Sequence, residues 1–176
     1  MSTRRITRWA ILIALYVGLT FAFSFLSYEG IQFRIAEALI LLVFFKRDYA
    51  IPLVLACAIA NIPSPLGLLD VGIGTLGTFL AVLGILAASL LRDKFKRPWI
   101  PLFLASLAPV LANGFLVAWE LGLAFDLPFW PSVASVAFGE FAVVSVFGVA
   151  LFGSLSKNKT FLRVVASDEP IKSIED

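Results

Sequence analysis

A few polar side chains able to carry chemistry stand in or against apolar stretches: Gln32, Arg34, Glu37, Asn61, Asp70, Asn113, Glu120 and Glu140. Arg34 and Glu37 lie three residues apart, and Asn113 and Glu120 lie seven apart, so each pair shares a helix face. Carboxylates accept hydrogen bonds and neutralise cations, while carboxamides both donate and accept. The catalytic alternatives are thin. There is no histidine, and Cys57 is the single cysteine, so Ser–His and Cys–His pairs, His-based metal sets and an internal disulfide are all absent. Asp70 and Asp126 fall at helix ends rather than facing each other within spans. No G-x-x-x-x-G-K-[ST] phosphate loop occurs, so the chain cannot hydrolyse ATP by that route. The inventory favours a binder over an enzyme, and implies no metal and no cofactor.

The elements that hold these residues are membrane helices. The chain has 176 residues, of which 60% are hydrophobic, and a mean hydropathy of +0.97, well outside the range of a soluble domain. Trp9–Tyr28, Val71–Leu91, Trp99–Gly122 and Ser132–Leu155 are each long and apolar enough to span a bilayer. Arg4, Arg5 and Arg8 before the first run resemble a signal-peptide head. That run exceeds the ~7–15 residues of an h-region, so it reads as a retained span. Two shorter apolar stretches, Ile35–Phe45 and Tyr49–Ile62, lie between the first and second long runs. Counting them gives an all-α polytopic membrane protein of six transmembrane helices. Residues 1–155 form the membrane domain, and 156–176 a polar C-terminal tail.

Charge sets the orientation. On a six-helix topology every Lys and Arg except Arg34 falls on one face, which the positive-inside rule makes cytoplasmic, with both termini there. The net charge of +2 gives no reason to expect nucleic acid; the surrounding partner is lipid. On this topology Glu37, Asn61, Asp70, Asn113, Glu120 and Glu140 all belong to the outer half of the bundle. The inner half offers only hydroxyls such as Ser89, Ser106 and Ser154. A channel needs polar groups along its whole path. A charge at mid-bilayer costs about 2.5–3.5 kcal/mol even on lenient scales, so these carboxylates need partners or a task. The two short segments point the same way, because neighbouring helices must enclose the missing depth.

Plainer roles compete at several positions. Arg34 and Glu37 can simply pair with each other. Asp70 can cap the helix that follows it, and Asn61 can bond backbone freed by Pro63. Trp99 and Trp130 read as interface anchors. Glu140 is hardest to explain away, since no Lys or Arg lies at its depth. On the first helix, Ala10, Ala14, Gly18 and Ala22 recur every four residues as a small-residue ridge that lets another helix approach closely, whether within this bundle or from a partner.

These features resemble the substrate-binding S components of energy-coupling factor (ECF) vitamin importers. Ala10-x-x-x-Ala14 is similar to the small-residue motif with which their first helix docks a transmembrane coupling subunit. More narrowly, "QFRIAEAL" at 32–39, "IPLVLACAIAN" at 51–61 and "DVGIGTLGTFLA" at 70–81 resemble the queuosine-precursor transporter (QueT) family. The resemblance implies an S-component bundle that takes up a 7-deazaguanine base, with a coupling subunit and two ATPase subunits as partners. The S component would topple to carry its substrate inward, so the inner half needs no polar path. A guanine-like edge offers adjacent N–H donors to a glutamate, and an aminomethyl arm offers a cation to a second carboxylate. Trp119 or Phe141 would stack on the ring, and Arg34 would orient Glu37 at the rim. An S component for another heterocycle, or a ligand-free structural subunit, are the alternative readings.

The orientation has a direct test. Gly30→Cys and Phe125→Cys should react with an impermeant maleimide applied to intact cells, whereas Asp93→Cys and Asn158→Cys should not. Labelling at position 93 overturns the topology and the depth assignments that rest on it.

Overall fold

The computed structural model describes residues 3–23, 34–97 and 99–166, and every regular element among them is helical. The first helix, α1, covers Thr3–Ala22. A 3₁₀ stretch over Ile35–Leu41 runs directly into the one-turn helix α2, Leu42–Phe45. Helix α3 covers Ala50–Asn61. A π-helical stretch, Asp70–Gly74, leads into α4, Thr75–Ser89. Helix α5 covers Trp99–Phe125. Helix α6, Phe129–Glu140, continues through a second π-helical stretch, Phe141–Gly148, into α7, Val149–Leu155. Helix α8 covers Lys159–Ala166.

Four stretches are long and apolar enough to cross a membrane: Thr3–Ala22, Asp70–Lys94, Trp99–Phe125 and Phe129–Leu155. They overlap the four long runs expected from hydropathy, residues 24–28 of the first run lying outside the described residues. The first begins at Thr3 rather than Trp9, because the arginine-bearing turn is itself helical and is tied down. Arg5 pairs with Asp48, and the Trp9 indole N–H donates to Asp48 Oδ2 at 3.0 Å. Ile35–Phe45 is a shorter apolar element, as expected. Large apolar side chains such as Ile11, Leu55, Leu83, Leu111 and Phe147 face outward. In helices whose backbone bonds are satisfied internally, that is the surface a hydrocarbon solvent requires.

One end of the bundle gathers the basic turns. Beside the Asp48 contacts, the Arg92 guanidinium sits 4.7 Å from the Phe44 ring centroid and donates to the Phe44 carbonyl. The Tyr49 hydroxyl donates to the Val165 carbonyl at 3.1 Å. The start of α1, the turns at 46–49 and 92–94, and α8 therefore meet at one end. The segment after Leu155 is polar in composition, yet α8 packs onto the body. Phe161 lies 5.9 Å from Phe45 and 6.3 Å from Phe152, ring centre to ring centre.

The spans differ in how far they are held by protein. Only 17% of the α1 window is buried, against 44% for α5 and for the α6–α7 span. Helix α1 buries one stripe, Leu12, Tyr16 and Thr20, each four residues from the last. The small-residue ridge is on another face. Ala10, Ala14, Gly18 and Ala22 are all exposed, and a Cβ added at Gly18 would meet nothing within 4 Å. Among the described residues, none packs on the ridge.

The tightest pairing is between α4 and α5, where Gly84 faces Ala108. A Cβ at Gly84 would fall 2.5 Å from the Ala108 Cβ, well inside contact distance. Gly84→Ala should therefore force the helices apart and lower stability by about 1–3 kcal/mol, as overpacking does. Gly153→Ala, at a site with nothing within 4 Å of the new carbon, should melt no lower than wild type. Thermal unfolding in detergent checks both, and equal melting of the two variants would refute the close approach.

Candidate functional site

Three of the stretches that depart from α-helix carry or border three of the four buried carboxylates, Glu120 lying within α5. Glu37 sits in the 3₁₀ stretch, Asp70 opens the first π stretch, and Glu140 immediately precedes the second. A seven-residue 3₁₀ run is unusually long, and π insertions recur where side chains must be re-aimed. At about 2.0 Å per residue the 3₁₀ stretch also covers more depth than an α-helix of the same length. That helps a short segment carry Glu37 well into the bundle.

Glu37 is fully buried. Its Oε1 accepts the Tyr16 hydroxyl at 2.5 Å and lies 3.2 Å from the Thr78 hydroxyl. Thr78 is also 3.1 Å from Cys57 Sγ, which makes a short polar chain joining α1, α3 and α4 to the 3₁₀ stretch. Beside it, Arg34 Nη2 donates to Asp70 Oδ1 at 3.0 Å, both side chains being buried. Asn61 Nδ2 donates to the Asp70 carbonyl at 3.0 Å and approaches Cys57 Sγ at 3.5 Å. Between α5 and α6, Asn113 Nδ2 donates to Glu140 Oε1 at 2.9 Å. The two groups feel each other's charge: Glu140 is within electrostatic range of Glu37 and Arg34, and Glu120 of Asp70 and Arg34.

Two glycines make room for this packing. A Cβ at Gly74 would lie 2.5 Å from Asp70 Oδ1 and 2.7 Å from Asn61 Nδ2, and one at Gly77 would collide with Asn113 Oδ1. The polar heads therefore rest directly on the backbone at the start of α4.

The residues single out acceptors. Among the described residues, Glu37 Oε2, Asp70 Oδ2, Asn113 Oδ1, Glu140 Oε2 and both oxygens of Glu120 are buried without a hydrogen-bond partner, as is Thr75 Oγ1. Buried polar atoms in folded proteins are overwhelmingly paired, so a concentration of orphans marks a place suited to another molecule's donors. Four buried carboxylates face one buried guanidinium. The surplus suits a cationic, N–H-rich ligand and repels an anion. A pocket of about 40 Å³ reaches Arg34 and Asp70, walled by Ser64, Leu66, Leu121 and Phe125. It has room for about three waters, so a bicyclic base enters only if these walls part.

Several expectations need correcting. Arg34 pairs with Asp70 and not with Glu37, which takes its hydrogen bonds from Tyr16 and Thr78. Asp70 makes no side-chain cap, because helical backbone already runs through it from Leu68; it serves as the counter-ion of Arg34. Asn61 binds the Asp70 carbonyl rather than backbone freed by Pro63. Trp119 is 52% and Phe141 38% exposed, so neither ring joins the cluster. Each follows or precedes an inward glutamate, and neighbours on a helix point about 100° apart. Phe141 instead meets Phe103 edge-on. Gln32 lies outside the described residues. Tyr16, Thr78 and Cys57 join the site through hydrogen bonds on and beside Glu37. Tyr16 lies on the buried stripe of α1 between Leu12 and Thr20.

Comparison with known proteins gives this arrangement a context. Residues 6–157 match the family described as QueT transporter. The queuosine precursor transporter QueT of Lactococcus lactis subsp. cremoris (strain MG1363) is 33% identical over 157 residues, covering 84% of this chain and 89% of that one. No solved structure matches the chain. With several helices able to cross the bilayer and a buried polar cluster between them, the chain belongs to the QueT transporter family, as a multi-pass protein of the cell membrane.

Proposed function

We propose that the chain is the substrate-binding S component of an ECF importer for a queuosine precursor, a 7-deazaguanine base taken from the outer face. The observation that carries this reading is the concentration of orphaned buried acceptors on Glu37, Asp70, Asn113, Glu120 and Glu140. A deazaguanine presents complementary groups: adjacent N–H donors on its aminopyrimidine edge and a pyrrole N–H. The name of the Lactococcus relative points to the same ligand class. In this reading six segments cross the membrane with both ends cytoplasmic, consistent with the gathering of basic turns at one end of the bundle.

Asn113 and Glu140 form the base-reading pair. Asn113 Nδ2 holds Glu140 Oε1, leaving Glu140 Oε2 and Asn113 Oδ1 free to accept from the ligand. Arg34, Glu37, Asn61 and Asp70 close the other side. The exposed ridge Ala10–Ala14–Gly18 supports docking by a transmembrane coupling subunit, to which two ATPase subunits supply the energy. Small residues left on an outer helix face permit close approach of another helix, and none of the described residues occupies them.

A charge-assisted hydrogen bond contributes about 1.5–3 kcal/mol. Glu140→Gln should therefore weaken binding of the aminomethyl deazaguanine by roughly one to two decades at 1.4 kcal/mol per decade. Isothermal titration of purified protein measures this, and a change below about threefold in a folded variant would move Glu140 to the scaffold. If the wild type binds vitamins but no deazaguanine in the same series, the substrate class is wrong.

Docking has its own test. Ala14→Trp should abolish uptake in vesicles containing the coupling and ATPase subunits, while leaving titrated binding unchanged. Normal uptake by that variant would displace the partner from this face.

A further inference from the structure

Glu120 differs from the other buried carboxylates. Asp70 has Arg34, Glu37 has the Tyr16 and Thr78 hydroxyls, and Glu140 has Asn113. Glu120 is 0% exposed and neither of its oxygens has a hydrogen-bond partner among the described residues. Arg34 is within electrostatic range of it, but donates to Asp70. Protonation would not resolve the position. A neutral carboxyl gains an O–H that itself needs an acceptor, and neither oxygen of Glu120 has a partner within bonding distance among the described residues.

We infer that Glu120 is the subsite for the cationic arm of the ligand, and so the residue that makes the site prefer an amine-bearing base over a neutral one. The inference rests on the deazaguanine reading above and assigns one end of that ligand. Asn113 and Glu120 lie on one face of α5, two turns or about 10 Å apart along its axis. With its aminopyrimidine edge at the Asn113–Glu140 pair, a planar bicycle would direct its one-carbon amine arm along α5 toward Glu120 once Val117, buried between them on that face, moves aside. An ammonium there donates to both orphaned oxygens, and it reduces the four-to-one excess of buried carboxylates over guanidinium among the described residues. A nitrile at the same position has no hydrogen to donate, and leaves Glu120 as unpaired as before.

The test is a titration matrix. Wild type and Glu120→Gln are each titrated with 7-aminomethyl-7-deazaguanine, 7-cyano-7-deazaguanine and unsubstituted 7-deazaguanine. Wild type should bind the aminomethyl base at least tenfold more tightly than the other two. Glu120→Gln should lose that preference by ten- to a hundredfold, while its affinity for the two neutral bases stays within threefold. Glu120→Asp, which keeps the charge, should retain part of the preference and guards against misfolding of the first variant.

Wild type binding all three bases equally overturns the inference with no variant needed. So does a Glu120→Gln variant that keeps the amine preference, or that loses all three bases alike. Wild type binding none of the three refutes the deazaguanine reading itself, and this inference falls with it. That pattern is distinct from binding without amine preference, which refutes only the role of Glu120.

Discussion

Four carboxylates held beside one guanidinium, inside a bundle whose outer surface suits lipid, is the constraint around which the rest of this structure is arranged. Taking ions out of water costs several kcal/mol each even after relaxation, and only close pairing recovers it. The bundle responds by drawing a partner from a different element for most of them. Asp70 receives Arg34 from the chain just before the 3₁₀ stretch, Glu37 receives Tyr16 from α1 and Thr78 from α4, and Glu140 receives Asn113 from α5. Each hydrogen bond crosses between separate segments of the chain, so the polar cluster and the helix packing are one network. Among the described residues, what remains unpaired is mostly acceptors, with the Thr75 hydroxyl beside them.

The irregular backbone follows from the same demand. A regular α-helix repeats its side chains every 3.6 residues, and an inward carboxylate then carries its neighbours to fixed bearings. The π stretches beginning at Asp70 and just after Glu140 shift that register within a single span. Each span can thus turn a carboxylate inward at one level and an apolar stripe inward at the next. Gly74 and Gly77 are the counterpart in side-chain volume, since a methyl group at either would occupy the place of Asp70 and Asn61, or of Asn113.

How much of this could be read beforehand depends on which physical signal each feature leaves in the sequence. Long apolar runs are written in composition, so the four spans and the two short segments between them were legible. The inward carboxylates were legible too, because charge in such runs is costly enough to need a reason. Partner choice was not. Arg34 sees Glu37 one turn away in sequence, yet meets Asp70 because the 3₁₀ stretch and the π stretch place them together. Trp119 was credited with stacking because it adjoins Glu120, and adjacency on a helix is what separates their directions. Tyr16 and Thr78 were overlooked because hydroxyls are ordinary in membrane helices, and only the tertiary fold shows both converging on Glu37. Periodicity over a handful of residues cannot tell 3₁₀ or π turns from α, so the features that aim the site were the least visible.

Helix α1 ties the site to the bundle's exterior. Tyr16, which holds Glu37, lies on the helix between Ala14 and Gly18, whose small side chains face outward. The polar cluster and the ridge are therefore two faces of one helix, a fraction of a turn apart. This is also the span least held by its own bundle, with 17% of its window buried. A helix with few packing contacts is the element whose tilt responds most readily to a change in one strong hydrogen bond, because less apolar contact opposes the shift. In the proposed assembly, whatever alters the acceptor demand at Glu37 acts on the same helix that offers the docking face. Substrate occupancy and partner engagement can then be linked through Tyr16 without a polar path through the inner half of the bundle.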